Sequence, residues 1–381
     1  MQVTLIACPF KTSYGPATES LKKALEKKTG KAVEWVASNC GCGDNVEINR
    51  QFQMQGCKYF DMITISDYQT PNRWKLWLKL KARKFFYYFR ARKYWKLSAG
   101  AEVVNFHQTL NAYGSTVLFH WLNQRSQAAR VVTIHELDRH QLAHAESNKI
   151  YNKADAIIVQ QGAMKDQLIG LGVDPSKIEI VPHGTELPPV DESQPREGIL
   201  FYGGHHPLKG KGLHAVLKAI ALLKTRRGAK APKLKVHGYF SDEDLTAVKE
   251  MAAQLGLEND IAWLNQIPMP EVFRQYRSSL LCVLPFMGSF AGLAAATAAA
   301  VELPVIATKN AGILEHIGEN GIWIDKDNAE DIVEQVENLL GSAELRRDVS
   351  RRLRKRAEEC LSWDVVAGKT LAVYERALRR R

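Results

Sequence analysis

Two lysines, Lys209 and Lys211, stand in a glycine-punctuated turn within "ILFYGGHHPLKGKGLHAVL". A strand-like run precedes the turn and a helical pattern follows it. That order suits a diphosphate: main-chain N–H groups, the positive end of a helix and mobile ammonium groups converge. Gly203 and Gly204 permit close backbone approach. The glycine spacing fits neither a Walker loop nor a dinucleotide fingerprint. His205 and His206 have no neighbouring acid or cysteine to complete a metal set, so no metal is expected.

A second glycine-rich turn opens "PFMGSFAGLAAATAAAVELPVIAT" (Pro285–Thr308). The N–H groups around Gly288 and Gly292 could form an anion-binding nest. The alanines behind them suit a helix packed closely on a sheet, and Glu302 is the only acid. His135 follows the apolar run "VVTI", where an imidazole can donate to a sugar hydroxyl or a phosphate. His107, after "EVVNF", has a similar setting. Gly15, in "CPFKTSYGP", is expected just before a helix, as a close-approach glycine or as part of a plain βα turn.

These residues need a frame. Short β-branched runs alternate with helical patterns along the whole chain, from "QVTLIAC" and "AVEWVAS" to "LPVIAT" and "GIWID". Such alternation predicts parallel sheets with right-handed crossovers. The fold class is therefore α/β: two doubly wound, Rossmann-like domains facing a cleft, with ligands at the carboxyl ends of the strands. The Pro-rich stretch Glu186–Gly198 is the expected linker. It divides a first domain over 1–187 from a second over 198–363. A terminal helix over 364–381 is expected to return to the first domain.

The chain has 381 residues, 45% of them hydrophobic, 24% charged, with a formal charge of +11. That balance fits a globular protein with an anionic partner. No apolar run is long enough to cross a bilayer, and the first residues do not read as a secretion signal. Six cysteines then read as free thiols in a reducing compartment. "NCGCGDN" with Cys57 makes a poor zinc set and reads more simply as a turn.

The segment Arg73–Leu97, "RWKLWLKLKARKFFYYFRARKYWKL", carries ten Lys/Arg and no acid. Arg73, Lys75, Lys79, Lys81, Arg83, Lys84, Arg90 and Arg92 could meet anionic headgroups, with Trp74, Trp77, Phe85 and Phe86 at the interface. A helix with a buried aromatic face is the plainer reading. Nucleic acid is a disfavoured partner.

The order of motifs resembles the family 4 glycosyltransferases of the GT-B fold. The matching pieces are "KADAIIVQQGAMKDQLIGLGVDPSKIEIVPHGTE", "ILFYGGHHPLKGKG", "LGLENDIAWLNQIPMPEVFRQYRSSLLCVLPF", "SFAGLAAATAAAVELPVIATKNAGILEHI" and "SWDVVAGKTLAVYERAL". "VVTIHELD" and the first strand extend the match more weakly. The resemblance implies a retaining transferase that takes a hexose from a nucleoside diphosphate sugar without a metal or other cofactor. Lys209 or Lys211 would hold the diphosphate, and Leu264, Asn265 and Gln266 would line the base. Phe290, Ala291, Gly292 and Leu293 would offer backbone N–H groups, and Gly15 would sit near the diphosphate. His135 would contact the transferred sugar, and Glu315 matches the glutamate of the family's "GGxxE" segment. In the mechanism usually proposed for the family, the leaving phosphate itself takes the acceptor's proton.

The chain departs from the family pattern at three places. Ser289 and Thr297 replace two glutamates eight positions apart, and Gly204 stands where an arginine is usual. A neutral hydroxyl binds a ribose diol more weakly than a carboxylate does, so donor affinity is touched more than chemistry. The expectation is a glycosyltransferase peripheral on the cytoplasmic membrane face, acting on a lipid-linked or other glycan acceptor. The alternatives are a non-catalytic GT-B-like binding subunit and a sugar-nucleotide 2-epimerase, the latter disfavoured by a site short of acids.

Overall fold

The computed structural model describes residues 1–7, 14–38, 58–60, 74, 100–107, 126–135, 150–190, 195–205, 210–264, 267–287, 292–325 and 328–381. The chain forms two compact units: Met1–Val181 with Trp363–Arg381, and Pro182–Ser362. The division falls before the expected linker, so residues 182–187 belong to the second unit. The local reason is a backbone bond from Thr185 N–H to the Leu361 carbonyl and a bridge from Thr185 to Ser362.

In the first unit the strands are β1 (Val3–Ala7), β2 (Glu34–Ser38), β3 (Lys58–Phe60), β4 (Val103–His107), β5 (Ala129–Ile134), β6 (Ala156–Val159) and β7 (Ile178–Ile180). All pair in parallel, in the order β3-β2-β1-β4-β5-β6-β7. The apolar residues alternate between two cores, as a sheet buried on both faces requires. Ala129, Val131, Ala156 and Ile158 face helix α1 (Tyr14–Thr29) and the terminal helix, here α10 (Trp363–Arg379). Val132, Ile134, Ile157 and Val159 face the other way, toward α2 (Gly162–Gly170).

The terminal helix thus completes the first unit. Val366, Ala367, Val373, Tyr374 and Ala377 recur at helical spacing and are all buried in it. At its end Arg380 donates to the carbonyls of Asp155 and Ser176, and Arg381 donates to those of Ser126 and Ala128. Those donors satisfy carbonyls at the amino ends of the strands.

In the second unit β8 (Ile199–His205), β9 (Leu234–Tyr239), β10 (Ile261–Leu264), β11 (Leu281–Leu284), β12 (Val305–Thr308) and β13 (Ile322–Ile324) form another parallel sheet, in the order β10-β9-β8-β11-β12-β13. One face is covered by α3 (Leu213–Arg227), α4 (Asp242–Gln254) and α8 (Ala329–Gly341). The other is covered by α5 (Met269–Arg277), α6 (Leu293–Ala300), α7 (Ala311–Ile317) and α9 (Ala343–Cys360). Both units are doubly wound, as the alternation of elements predicts. In each, the chain leaves the central strand on one side and returns on the other, so the switch points lie between β1 and β4 and between β8 and β11. Ligands of such sheets settle at the carboxyl ends flanking a switch point.

Arg130 and Asp155 join β5 to β6 at their amino ends, away from those sites. Asp155 accepts from the Arg130 backbone N–H at 2.8 Å, from Nε at 2.9 Å and from Nη2 at 2.8 Å. Both side chains are buried, so removing one charge strands the other in low dielectric. Asp155→Asn should therefore destabilise the first unit by about 3–5 kcal/mol, read by urea denaturation. Loss below about 1 kcal/mol would mean that water reaches the pair.

Candidate functional site

In the second unit the switch point is built by two turns that touch. The Met287 N–H donates to the Gly210 carbonyl at 2.8 Å. Gly212, with φ of 74°, opens α3 in the left-handed conformation. A Cβ on Gly212 would lie 2.4 Å from the Pro285 carbonyl oxygen, so only glycine lets β11 pass this close. Between these glycines Lys211 lays its ammonium 4.3 Å from the centroid of the Phe286 ring. One of the two expected lysines is thereby anchored across the switch point. Lys209 lies outside the described residues.

Gly203 and Gly204 lie two residues and one residue before the end of β8 at His205, where the pairing to β9 shifts register between Tyr202 and Gly204. Leu264 ends β10 opposite His237. The next two expected base-lining residues, Asn265 and Gln266, lie outside the described residues, as do Ser289, Phe290 and Ala291. Gly292 and Leu293 are the cap and first residue of α6.

The alanines of α6 are core: Ala294, Ala295, Ala296, Ala298, Ala299 and Ala300 are all buried. Glu302 is the helix stop, not a site acid. It takes φ of 56°, and Arg196 donates to its carbonyl and to that of Val301. Thr297 spends its hydroxyl hydrogen on the Leu293 carbonyl at 2.9 Å, leaving lone pairs to offer. Glu315 is half-buried in α7, and among the described residues its carboxylate makes no ion pair.

The amino end of α6 rests on a histidine that the motif reading passed over. A Cβ on Gly292 would lie 2.6 Å from His316 Nδ1. His316 is fully buried, its Nδ1–H donates to the Gly312 carbonyl at 2.8 Å, and among the described residues its Nε2 has no hydrogen-bond partner. The His183 ring stacks on it at 6.4 Å. Burial holds His316 neutral, with a pKa of about 4, and the nearby Arg356 acts in the same direction. His237, buried beside Tyr202, is likewise held at about 4 by burial. Both histidines sit in otherwise apolar element patterns, and only that contrast marks them in the sequence.

In the first unit the candidates gather at the ends of β4 and β5. His135 follows β5, half-buried, and its Nε2 meets Nδ1 of His107 at 3.1 Å. Burial first, and the charge of His107 second, keep the His135 pKa well below the usual range. His107 in turn meets Asn105, which bonds Tyr374 of α10 and Thr133 of β5. Asn105 and Tyr374 are not among the residues that the motifs single out, although an asparagine inside the apolar run "AEVVNFH" is itself a signal of a buried polar network. Gly15 is the second residue of α1 rather than a residue before it. Pro16 explains the shift, because proline belongs in a first helical turn, where its missing N–H costs no bond.

Of the basic aromatic segment only Trp74 is described, and it is 64% exposed; Arg73, Lys75, Trp77, Lys79, Lys81, Arg83, Lys84, Phe85, Phe86, Arg90 and Arg92 lie outside the described residues. The zinc candidates of "NCGCGDN" also lie outside. Among the described residues no group of three His, Cys, Asp or Glu could hold a metal, and no helix is long and apolar enough to cross a membrane.

His316 makes a pH prediction. Its folded pKa is depressed, so below about pH 6.5 the unfolded chain binds a proton that the folded one refuses. Stability of the second unit should fall as pH drops from 6.5 to 4 and then level off, by about 3 kcal/mol for this residue. His316→Phe should flatten that limb of a urea-midpoint profile. An unchanged slope would mean that the proton is taken up in the folded state.

A model of glycosyl transferases group 1 matches residues 186–356, and a model of glycosyltransferase family 4 matches residues 27–187. Over 248 residues the chain is 27% identical to a D-inositol 3-phosphate glycosyltransferase of Pseudarthrobacter chlorophenolicus, covering 61% of this chain and 58% of that relative. The chain thus spans less than two thirds of the length of the curated relatives it matches. A solved glycosyltransferase from Rickettsia africae ESF-5 matches with a TM-score of 0.73 at 17% identity, covering 99% of each chain. Anabaena Alr3699/HepE, solved in complex with UDP, matches with a TM-score of 0.74 at 12% identity, covering 98% of this chain and 99% of that one. At such identities the likeness speaks for the fold, which is GT-B. The two glycosyltransferase models adjoin and together take in residues 27–356, so over most of its length the chain is similar to glycosyltransferases.

Proposed function

We propose that the protein is a retaining hexosyltransferase that uses a nucleoside diphosphate sugar, with the donor's diphosphate held by the second unit. The observation that carries this reading is the pair of touching turns at the second switch point, with Lys211 laid across Phe286 and the amino end of α6 close by in sequence. Lysine and main-chain N–H groups supply positive charge where the leaving diphosphate gains negative charge. The UDP-bound neighbour of the same fold supports a nucleoside diphosphate as ligand.

The transfer needs no protein nucleophile. The bond from the sugar's anomeric carbon to the diphosphate oxygen breaks, and the acceptor oxygen bonds that carbon on the same face. The acceptor's proton passes to the leaving phosphate. The protein's tasks are positioning and charge stabilisation. His135 is the group proposed to donate to a substrate hydroxyl in the first unit. Leu264 to Gln266 are proposed to line the base, with Thr297 taking part in ribose binding as an acceptor. The acceptor is proposed to be lipid-linked, because residues 73–97 join ten cations to aromatics, a pairing suited to an anionic cytoplasmic leaflet.

Two measurements test this. Calorimetric titration with UDP and GDP should show binding that weakens at least tenfold in the double variant Lys209→Ala/Lys211→Ala, since each ammonium–phosphate contact is worth about 1.5–3 kcal/mol. Unchanged affinity would remove the diphosphate from these turns. Binding without turnover of any nucleotide sugar in a panel would favour a non-catalytic subunit. Liposomes rich in anionic lipid should bind the protein and release it as salt rises, with Ser in place of the cations from Arg73 to Arg92 abolishing binding. Wild type that ignores such liposomes would end the docking proposal.

A further inference from the structure

At the carboxyl ends of β4 and β5 the first unit buries a continuous line of polar side chains. Thr133 Oγ1 donates to Asn105 Oδ1 at 3.0 Å. Asn105 Nδ2 donates to Tyr374 Oη at 2.7 Å and meets His107 Nε2 at 3.1 Å. His107 Nδ1 meets His135 Nε2 at 3.1 Å. Asn105 is fully buried and His107 nearly so, and Tyr374 comes from the last helix of the chain.

The chemistry of each group gives this line a direction. An amide nitrogen donates and cannot accept, so His107 Nε2 facing it must carry the lone pair. A neutral imidazole with a bare Nε2 has its proton on Nδ1, and that proton points to His135. His135 Nε2 is then an acceptor, and its own proton is on Nδ1. A protonated His107 would set Nε2–H against the amide hydrogens, so Asn105 also disfavours the imidazolium. Tyr374 fixes the amide by accepting its second hydrogen, while Thr133 occupies its oxygen.

We infer that Asn105, His107 and Tyr374 are positioning residues that lock His135 in the neutral Nδ1–H tautomer, so that it meets substrate as a hydrogen-bond donor. This goes one step beyond the transferase reading and rests on it only for what His135 touches. A donor suits a sugar hydroxyl oxygen in a site short of acids, and it cannot act as a general base through the same nitrogen. The terminal helix acquires a role in the site, because the whole polarity depends on a tyrosine near the end of the chain. Turning the Asn105 amide over would reverse every donor in the line, so the His135 tautomer reports the arrangement directly.

The experiment is long-range 1H–15N NMR of the full-length protein labelled with 15N-histidine, with His135 assigned from His135→Asn. At neutral pH the His135 Nδ1 should carry the proton and Nε2 should be bare. In His107→Phe the signals should move toward a mixture of tautomers. In His107→Gln, whose amide can accept from Asn105 and donate to His135, they should return. If a nucleotide-sugar substrate is found, His107→Phe should lower kcat about tenfold, the worth of one hydrogen bond, with KM unchanged and with rescue in His107→Gln. A native His135 protonated on Nε2 or on both nitrogens would overturn the inference. So would a tautomer indifferent to His107→Phe. The native spectrum decides the polarity even if the Phe variant fails to fold. Absence of sugar transfer with the stated tautomer would fail the transferase reading and leave the line of polarity intact.

Discussion

A single methyl group has no room at Gly212. The Pro285 carbonyl oxygen comes so close that a Cβ would sit 2.4 Å away, and the backbone there is left-handed as well. This contact brings the turn after β8 against the end of β11, and those two strands flank the second switch point. Everything proposed for the second unit depends on it. Lys211 reaches the Phe286 ring because its neighbours on both sides are glycines, and the main chain can fold flat against the next strand end. A side chain at Gly212 would meet the Pro285 carbonyl and move the ammonium before it changed any charge.

The two units handle polarity in opposite ways. In the second, main-chain groups and lysine dominate, and burial keeps His237 and His316 neutral, for His316 against the pull of its bond to the Gly312 carbonyl. His316 buttresses the amino end of α6 through packing: its ring lies where a Gly292 side chain would be. In the first, polarity is carried by side chains in series, from Thr133 through Asn105 and His107 to His135. Such a chain is costly if broken and rigid if complete. It explains why a strand as apolar as β4 tolerates an asparagine at its centre.

The frame was largely legible in the sequence, for a physical reason. Parallel strands buried on both faces read as short apolar runs: β1 lies within "QVTLIAC", β4 within "AEVVNFH" and β12 within "LPVIAT", and β5 and β8 each reach one residue past theirs. Glycines at strand ends were legible too, because close approach demands them. The division of the chain was less legible. Glu186–Gly198 looks like a linker by composition, yet its first residues follow a stretch tied to Leu361 and Ser362 by backbone bonds that composition does not encode. The polar line in the first unit was only half visible. His107 and His135 stand out as strand-end histidines, but Tyr374 lies 269 residues from Asn105 and reads as an ordinary core tyrosine. The sign of a hydrogen-bond chain depends on which atoms face each other, and spacing along the sequence carries no such information.

The central claim is that a sugar nucleotide's diphosphate rests at the second switch point, on main-chain N–H groups and a lysine. A crystal structure of the full chain soaked with a nucleotide sugar tests it most directly. The account predicts diphosphate oxygens within hydrogen-bond distance of the amino end of α6 and of Lys209 or Lys211. A diphosphate bound elsewhere, or a nucleotide sugar that leaves this site empty at saturating concentration, would contradict it.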